Sequence, residues 1–127
     1  MQELLGIRDR RMIRAVGGLG GGVAGMGEVC GALSGGMAAL GLRLGRGHPS
    51  EREDLRLFLW GQELYEWFAS LGGCKPEGTV LCREITETDF RDPAQLARFF
   101  QSGRVEQCME LAAKTAPQVA SILRREA

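Results

Sequence analysis

Histidine is almost missing from this chain: His48 is the only one in 127 residues. It precedes Pro49 and an apparent helix start, the address of an exposed loop residue, so neither a serine-histidine-aspartate triad nor a multi-histidine zinc site is expected. Net charge is missing too. Sixteen basic and sixteen acidic side chains cancel, leaving no strong field to hold nucleic acid or an anionic membrane. The local exception, Arg8, Arg10, Arg11 and Arg14 against Glu3 and Asp9, reads as a solvated helix face. No two cysteines have the two-residue separation of a zinc knuckle or thioredoxin-type motif, and no Cys-x-x-Cys-His haem attachment occurs. The Walker phosphate-binding pattern is absent as well. No haem and no nucleotide are therefore expected.

Four cysteines in 127 residues fall short of a disulfide-stapled secreted domain, and no basic-then-apolar signal peptide opens the sequence. A cytoplasmic, reducing setting is the expectation. There, cysteines are catalytic, metal-binding or simply buried more often than crosslinked. The length suits one domain, 1–127, with a real core. The run from Ala15 to Leu42 has only Glu28 and Cys30 as ionisable side chains, long enough to span a bilayer. Its glycine content and the central Glu28 argue against a transmembrane helix.

Glycine is in excess. Of nineteen glycines, eleven fall between Gly17 and Gly41, against an average share of about 7% of residues. Gly20-Gly21-Gly22-Val23-Ala24-Gly25 matches the letters of the dinucleotide fingerprint, but no strand precedes it and no suitable acidic residue lies about twenty positions on. It reads instead as a loop needing positive backbone dihedrals.

The hydrophobic pattern is helical throughout. A first helix is predicted over about 2–16, followed by the glycine loop, then a central helix over about 27–44 on which Gly31, Gly35, Ala38 and Leu42 share a face that lets another backbone approach. Ser50-Glu51-Arg52-Glu53 reads as a capping box. The helix it opens carries an apolar stripe, Leu57, Trp60, Leu64, Trp67, Phe68 and Leu71, that can supply much of the core. Gly72 and Gly73 end it, Cys74 to Gly78 is turn-rich, and 79–86 is a short strand or extended loop. Asp92-Pro93 caps a short helix ending near Ser102-Gly103. The last helix begins near Val105, with Val105, Cys108, Met109, Ala112, Ala116, Val119, Ala120 and Leu123 on one inward stripe and a kink expected at Pro117. The fold class is all-α: a compact bundle of four to five helices with a Gly-rich loop before the central helix and one long irregular connection.

Cys30 is the leading functional candidate. It lies where the glycine loop becomes the central helix, so unpaired N–H groups at the helix start favour a reactive thiolate. Thiolates are the nucleophiles of disulfide exchange and the ligands soft metals prefer. Glu28 is a candidate proton acceptor or first-turn carboxylate, and Arg83 a cation beside Cys82.

With Met26-Gly27-Glu28-Val29 before it and Leu40-Gly41-Leu42, Val80-Leu81-Cys82-Arg83-Glu84 and Cys108 after it, the Cys30-Gly31-Ala32-Leu33-Ser34-Gly35 segment resembles the C-GCAxxG-C-C proteins, a redox-active family named for its cysteine pattern. The likeness runs from about Val16 onward. It implies a small helical redox-associated protein, similar to the helical domain of split-Soret-type cytochromes, where cysteines accompany an iron-sulfur centre. Some members are selenoproteins. Cys30, Cys82 and Cys108 carry over from the family, while its cysteine in an opening helix has no counterpart here and Cys74 looks additional.

The resulting expectation is a cysteine-based redox or electron-transfer protein with an unknown redox partner. Cys30, Cys82 and Cys108 converge as the catalytic set, acting as a dithiol/disulfide couple or, with Cys74, as ligands of an iron-sulfur cluster. Gly27 and Gly31 let backbone N–H groups approach the sulfurs. The alternative is a non-catalytic interaction module, a homodimer through the small-residue face or an accessory of a membrane transporter. Its cysteines would be structural or hold zinc.

Overall fold

The computed structural model describes residues 1–71 and 78–125. Among them are seven α-helices and no strand, only an isolated antiparallel bridge between Val29 and Leu81. The helices are α1 (Gln2–Leu5), α2 (Arg10–Val16), α3 (Gly31–Leu44), α4 (Arg56–Ser70), α5 (Cys82–Thr86), α6 (Pro93–Gln101) and α7 (Arg104–Arg124). The fold is all-α, as the pattern predicts, with more and shorter pieces than four or five. The connection containing Cys74 lies outside the described residues, and none of the described helices is long and apolar enough to cross a membrane.

Three long helices make the core. α3 packs against both α4 and α7, and α4 against α7, bringing Leu33, Leu40, Leu64, Phe68, Val119 and Ile122 out of contact with water. The α4 stripe is legible in this packing: Leu64 and Phe68 are buried and Leu57, Trp60 and Trp67 half-buried, though Leu71 is exposed. Burying such side chains stabilises a fold by about 1.5–3 kcal/mol each relative to exposure.

Local chemistry moved several boundaries. The opening helix divides because Gly6 turns left-handed at φ 70° and Asp9 starts a new helix by accepting the Arg11 N–H. The Ser50–Glu53 capping box does not form. Glu51 accepts the Gly47 N–H at 2.9 Å, Glu53 pairs with Arg46, and Ser50 turns to His48. α4 therefore opens later, where the Asp54 carboxylate accepts the Arg56 N–H. Asp92 caps α6 with Pro93 in its first turn, as expected. α7 runs unbroken through Pro117.

The close backbone approach on α3 falls one residue away from the expected face. A Cβ on Gly35 would meet nothing within 4 Å, whereas one on Gly36 would lie 3.0 Å from Val119 Cγ2 and 3.1 Å from Leu64 Cδ2. Gly36 marks the convergence of α3, α4 and α7. Gly35, Ala38 and Leu42 instead line a shallow groove beside α2.

The inward stripe on α7 also needs correction. Met109 is 65% exposed, and Ala112 and Ala116 face solvent, while Thr115, Val119, Ala120, Ile122 and Leu123 are buried. The buried positions of α7 lie from Thr115 onward, with Leu111 also packed against the core. The helix's N-terminal half forms the wall of the groove described next.

Candidate functional site

The glycine loop is a left-handed turn. Gly21, Gly22, Val23, Ala24 and Gly25 all have φ between 52° and 75°, a region that costs an ordinary L-residue about 1–2 kcal/mol and glycine far less. Amides of Val23, Ala24 and Gly25 donate back to the carbonyls of Leu19, Gly18 and Gly20, closing the turn. The expected positive dihedrals are present. The chain then extends through Val29, and α3 begins at Gly31, so Cys30 is the residue preceding the helix rather than a member of its first turn.

A short antiparallel pairing brings the second cysteine alongside. Cys30 N donates to Val80 O at 2.8 Å, Cys82 N to Glu28 O at 2.7 Å and Arg83 N to Gly27 O at 3.1 Å. In such a pairing, residues 28, 30, 80 and 82 share one face by alternation. Cys30 and Cys82 are thus held on one side of the bridge at its two diagonal corners. Leu81 ends the extended stretch and Cys82 opens α5, so the strand or extended loop expected over 79–86 is corrected: only its first residues are extended and the rest is helical.

Glycines permit this approach. A Cβ on Gly22, at φ 73°, would lie 2.7 Å from Cys82 Cβ and 2.5 Å from Glu28 N. A Cβ on Gly27, at φ 76°, would lie 2.8 Å from Arg83 Cβ. Gly27, expected to bind a cofactor, lies against the Arg83 side chain, and its carbonyl accepts the Arg83 N–H. Gly31, expected in the same role, lines the groove and lies against Leu19 O, 3.2 Å from where its Cβ would be.

Cys30, Cys82 and Cys108 line one open groove of about 520 Å3 between the glycine turn and the α6–α7 corner. Cys30 and Cys108 are half-buried and Cys82 is 7% exposed; among the described residues, these cysteines form no disulfide. Burial pushes the Cys82 thiol up from about 9.0 to about 11, and charge on Cys30 and then Cys108 pushes the same way. The Thr86 hydroxyl beside it pulls in the opposite direction.

The neighbouring charges take other roles than expected. Arg83 pairs with Glu28 at 3.0 Å on the surface, so Arg83 does not lower Cys82 and Glu28 lies outside both the helix and the groove lining. Arg104 donates to the Thr86 carbonyl and pairs with Glu87, tying α7 to the end of α5.

Sequence reasoning missed the groove walls. Phe90 and Phe99 meet edge to face at 5.0 Å, Phe99 and Phe100 at 5.4 Å, and all three line the groove with Met109. Three of the five phenylalanines falling within eleven residues of one another was the available signal. Thr86, four residues after Cys82, became legible only once that stretch proved helical.

Among the described residues, no group of three or more histidine, cysteine, aspartate or glutamate side chains is arranged to hold a metal ion. Cys74, expected as a further ligand, lies outside the described residues.

An all-helical protein with three cysteines in one groove defines a thiol-bearing class, and comparison specifies it. Residues 1–122 match the family model described as "Putative redox-active protein (C_GCAxxG_C_C)". The chain belongs to that family. The match includes the first fifteen residues, beyond the likeness seen from Val16. The family name spells its motif Gly-Cys-Ala, where this chain reads Cys30-Gly31-Ala32, and no cysteine precedes Cys30 in the sequence. Comparison with curated proteins and with solved structures gave no match.

Proposed function

We propose that the protein is a thiol–disulfide exchange protein whose working couple is Cys30 and Cys82. The observation that carries the reading is geometric: the antiparallel pairing about the Val29–Leu81 bridge sets Cys30 and Cys82 on one face, and both line the same groove. A cluster or zinc site would need three or more thiolates gathered at once. The dithiol reading needs only two that can meet.

Accessibility assigns the order of events. Cys30 is half-exposed and attacks one sulfur of a substrate disulfide, forming a mixed disulfide and releasing the first substrate thiol. Cys82, buried and a thiol at rest at neutral pH, then passes its proton to the departing substrate sulfur as its own sulfur attacks Cys30 Sγ. That step forms the Cys30–Cys82 disulfide and releases the second substrate thiol. Two electrons pass from protein to substrate, and the two thiol protons leave with the products. Cys108 lies alongside as a third thiol.

Diamide oxidation of the reduced protein followed by peptide mapping tests the reading. A Cys30–Cys82 disulfide should form, survive Cys108→Ser and disappear in Cys30→Ser and Cys82→Ser. The reading fails if no such disulfide forms, or if anaerobically purified protein carries stoichiometric iron and sulfide bound by these thiols.

A further inference from the structure

The groove combines its thiols with a lining that, among the described residues, has no charged side chain. Besides the cysteines it is built from glycines and alanines, the Phe90–Phe99–Phe100 array, Leu96, Val105 and Met109, with the Thr86 hydroxyl beside Cys82. Arg83, next to Cys82 in the chain, pairs with Glu28, and Arg104 holds Thr86 O and Glu87. A carboxylate brought against Cys30 would lose water and meet no cation in the groove lining, a costly transfer. An uncharged apolar body would exchange water for aromatic surface.

Size narrows the class further. A groove of about 520 Å3 lies in the range of small-molecule sites, roughly 300–1,000 Å3. We infer that the groove selects small, uncharged, apolar disulfides and their dithiols, and discriminates against anionic ones such as carboxylate-bearing thiols. This inference rests on the dithiol reading of Cys30 and Cys82. The exchange is balanced in either direction: as the small dithiol closes to its disulfide, the protein disulfide opens, and two electrons and two protons move to Cys30 and Cys82.

Dihydrolipoamide and dihydrolipoate make the test, because they differ by a carboxamide against a carboxylate at nearly equal size and thiol chemistry. Diamide-oxidised protein is reduced by each, and the rate ratio is divided by that for a small disulfide in solution. The amide should be faster by about tenfold or more, the scale of leaving a charge partly desolvated and unpaired. Met109→Lys, at a 65% exposed rim position, should speed dihydrolipoate severalfold and narrow the ratio. A ratio near one or favouring the carboxylate overturns the selectivity, and so does failure of both compounds where dithiothreitol succeeds; the dithiol reading stands in each case. Failure of any oxidant to close a Cys30–Cys82 disulfide removes that reading and this inference with it.

Discussion

The Cys82 amide donates to the Glu28 carbonyl at 2.7 Å, and Gly22 lies so close beneath both that a methyl group there would have no space. This contact, rather than any sequence spacing, holds the second thiol beside the first. Its partners are fifty-four residues apart in the chain, brought together by a short pairing of Gly27 to Cys30 with Val80 to Arg83.

Gly22→Ala should therefore be among the costlier single-methyl changes in the protein. Its Cβ would lie 2.5 and 2.6 Å from Glu28 backbone atoms and 2.7 Å from Cys82 Cβ, at φ 73°. Strain and overpacking together should cost about 2–4 kcal/mol. Urea denaturation measures this, and mass-mapped alkylation should show Cys82 reacting faster in the variant. A loss below about 0.5 kcal/mol would mean the glycine turn is not what fixes Cys82.

Stability should fall at alkaline pH through Cys82. Its folded pKa is raised to about 11 from an ordinary 9.0, so the unfolded chain loses the proton first. The contribution is fully present below about pH 9 and disappears as pH rises through about 11. The shift corresponds to about 2–3 kcal/mol. The difference in pH slope between the wild type and Cys82→Ala isolates it from lysine and tyrosine titration; parallel slopes between about pH 8 and 11 would contradict the assignment.

Neighbouring glycines on α3 should respond with opposite signs. Gly35→Ala meets open space and should stabilise by about 0.5–1 kcal/mol through helix propensity. Gly36→Ala pushes into Val119 and Leu64, and overpacking should outweigh that gain, leaving a net loss of about 1–2 kcal/mol. Thermal melts of the pair settle the point.

Val23 is a β-branched residue at φ 65° and is 45% exposed. It carries left-handed strain with little burial to offset it. Val23→Gly should stabilise the protein by about 0.5–1 kcal/mol, the strain relief less the added freedom of the unfolded chain. Equal or lower stability in a denaturant titration would show that Val23 makes compensating contacts.

Elements whose stabilising contacts are local are legible in the amino-acid sequence. Asp92 and Pro93 sit together at the start of α6 because a cap and its helix are adjacent along the chain. The α4 stripe is readable because helical periodicity places Leu64 and Phe68 on one face whatever they pack against. Ser50-Glu53 shows the limit. The same residue types that write a capping box also bond to Gly47, His48 and Arg46, and those partners won.

By itself the sequence determined an all-helical chain, a glycine turn requiring left-handed backbone, and three cysteines matching a redox family. Each follows from propensity, periodicity or residue identity over short stretches. Tertiary structure alone decided that Gly36 rather than Gly35 carries the helix contact, that α5 starts at Cys82, and that Phe90, Phe99 and Phe100 wall the thiol groove. Those outcomes depend on which distant segments exclude water together, and the 2.7 Å bond from Cys82 to Glu28 exists only after they have.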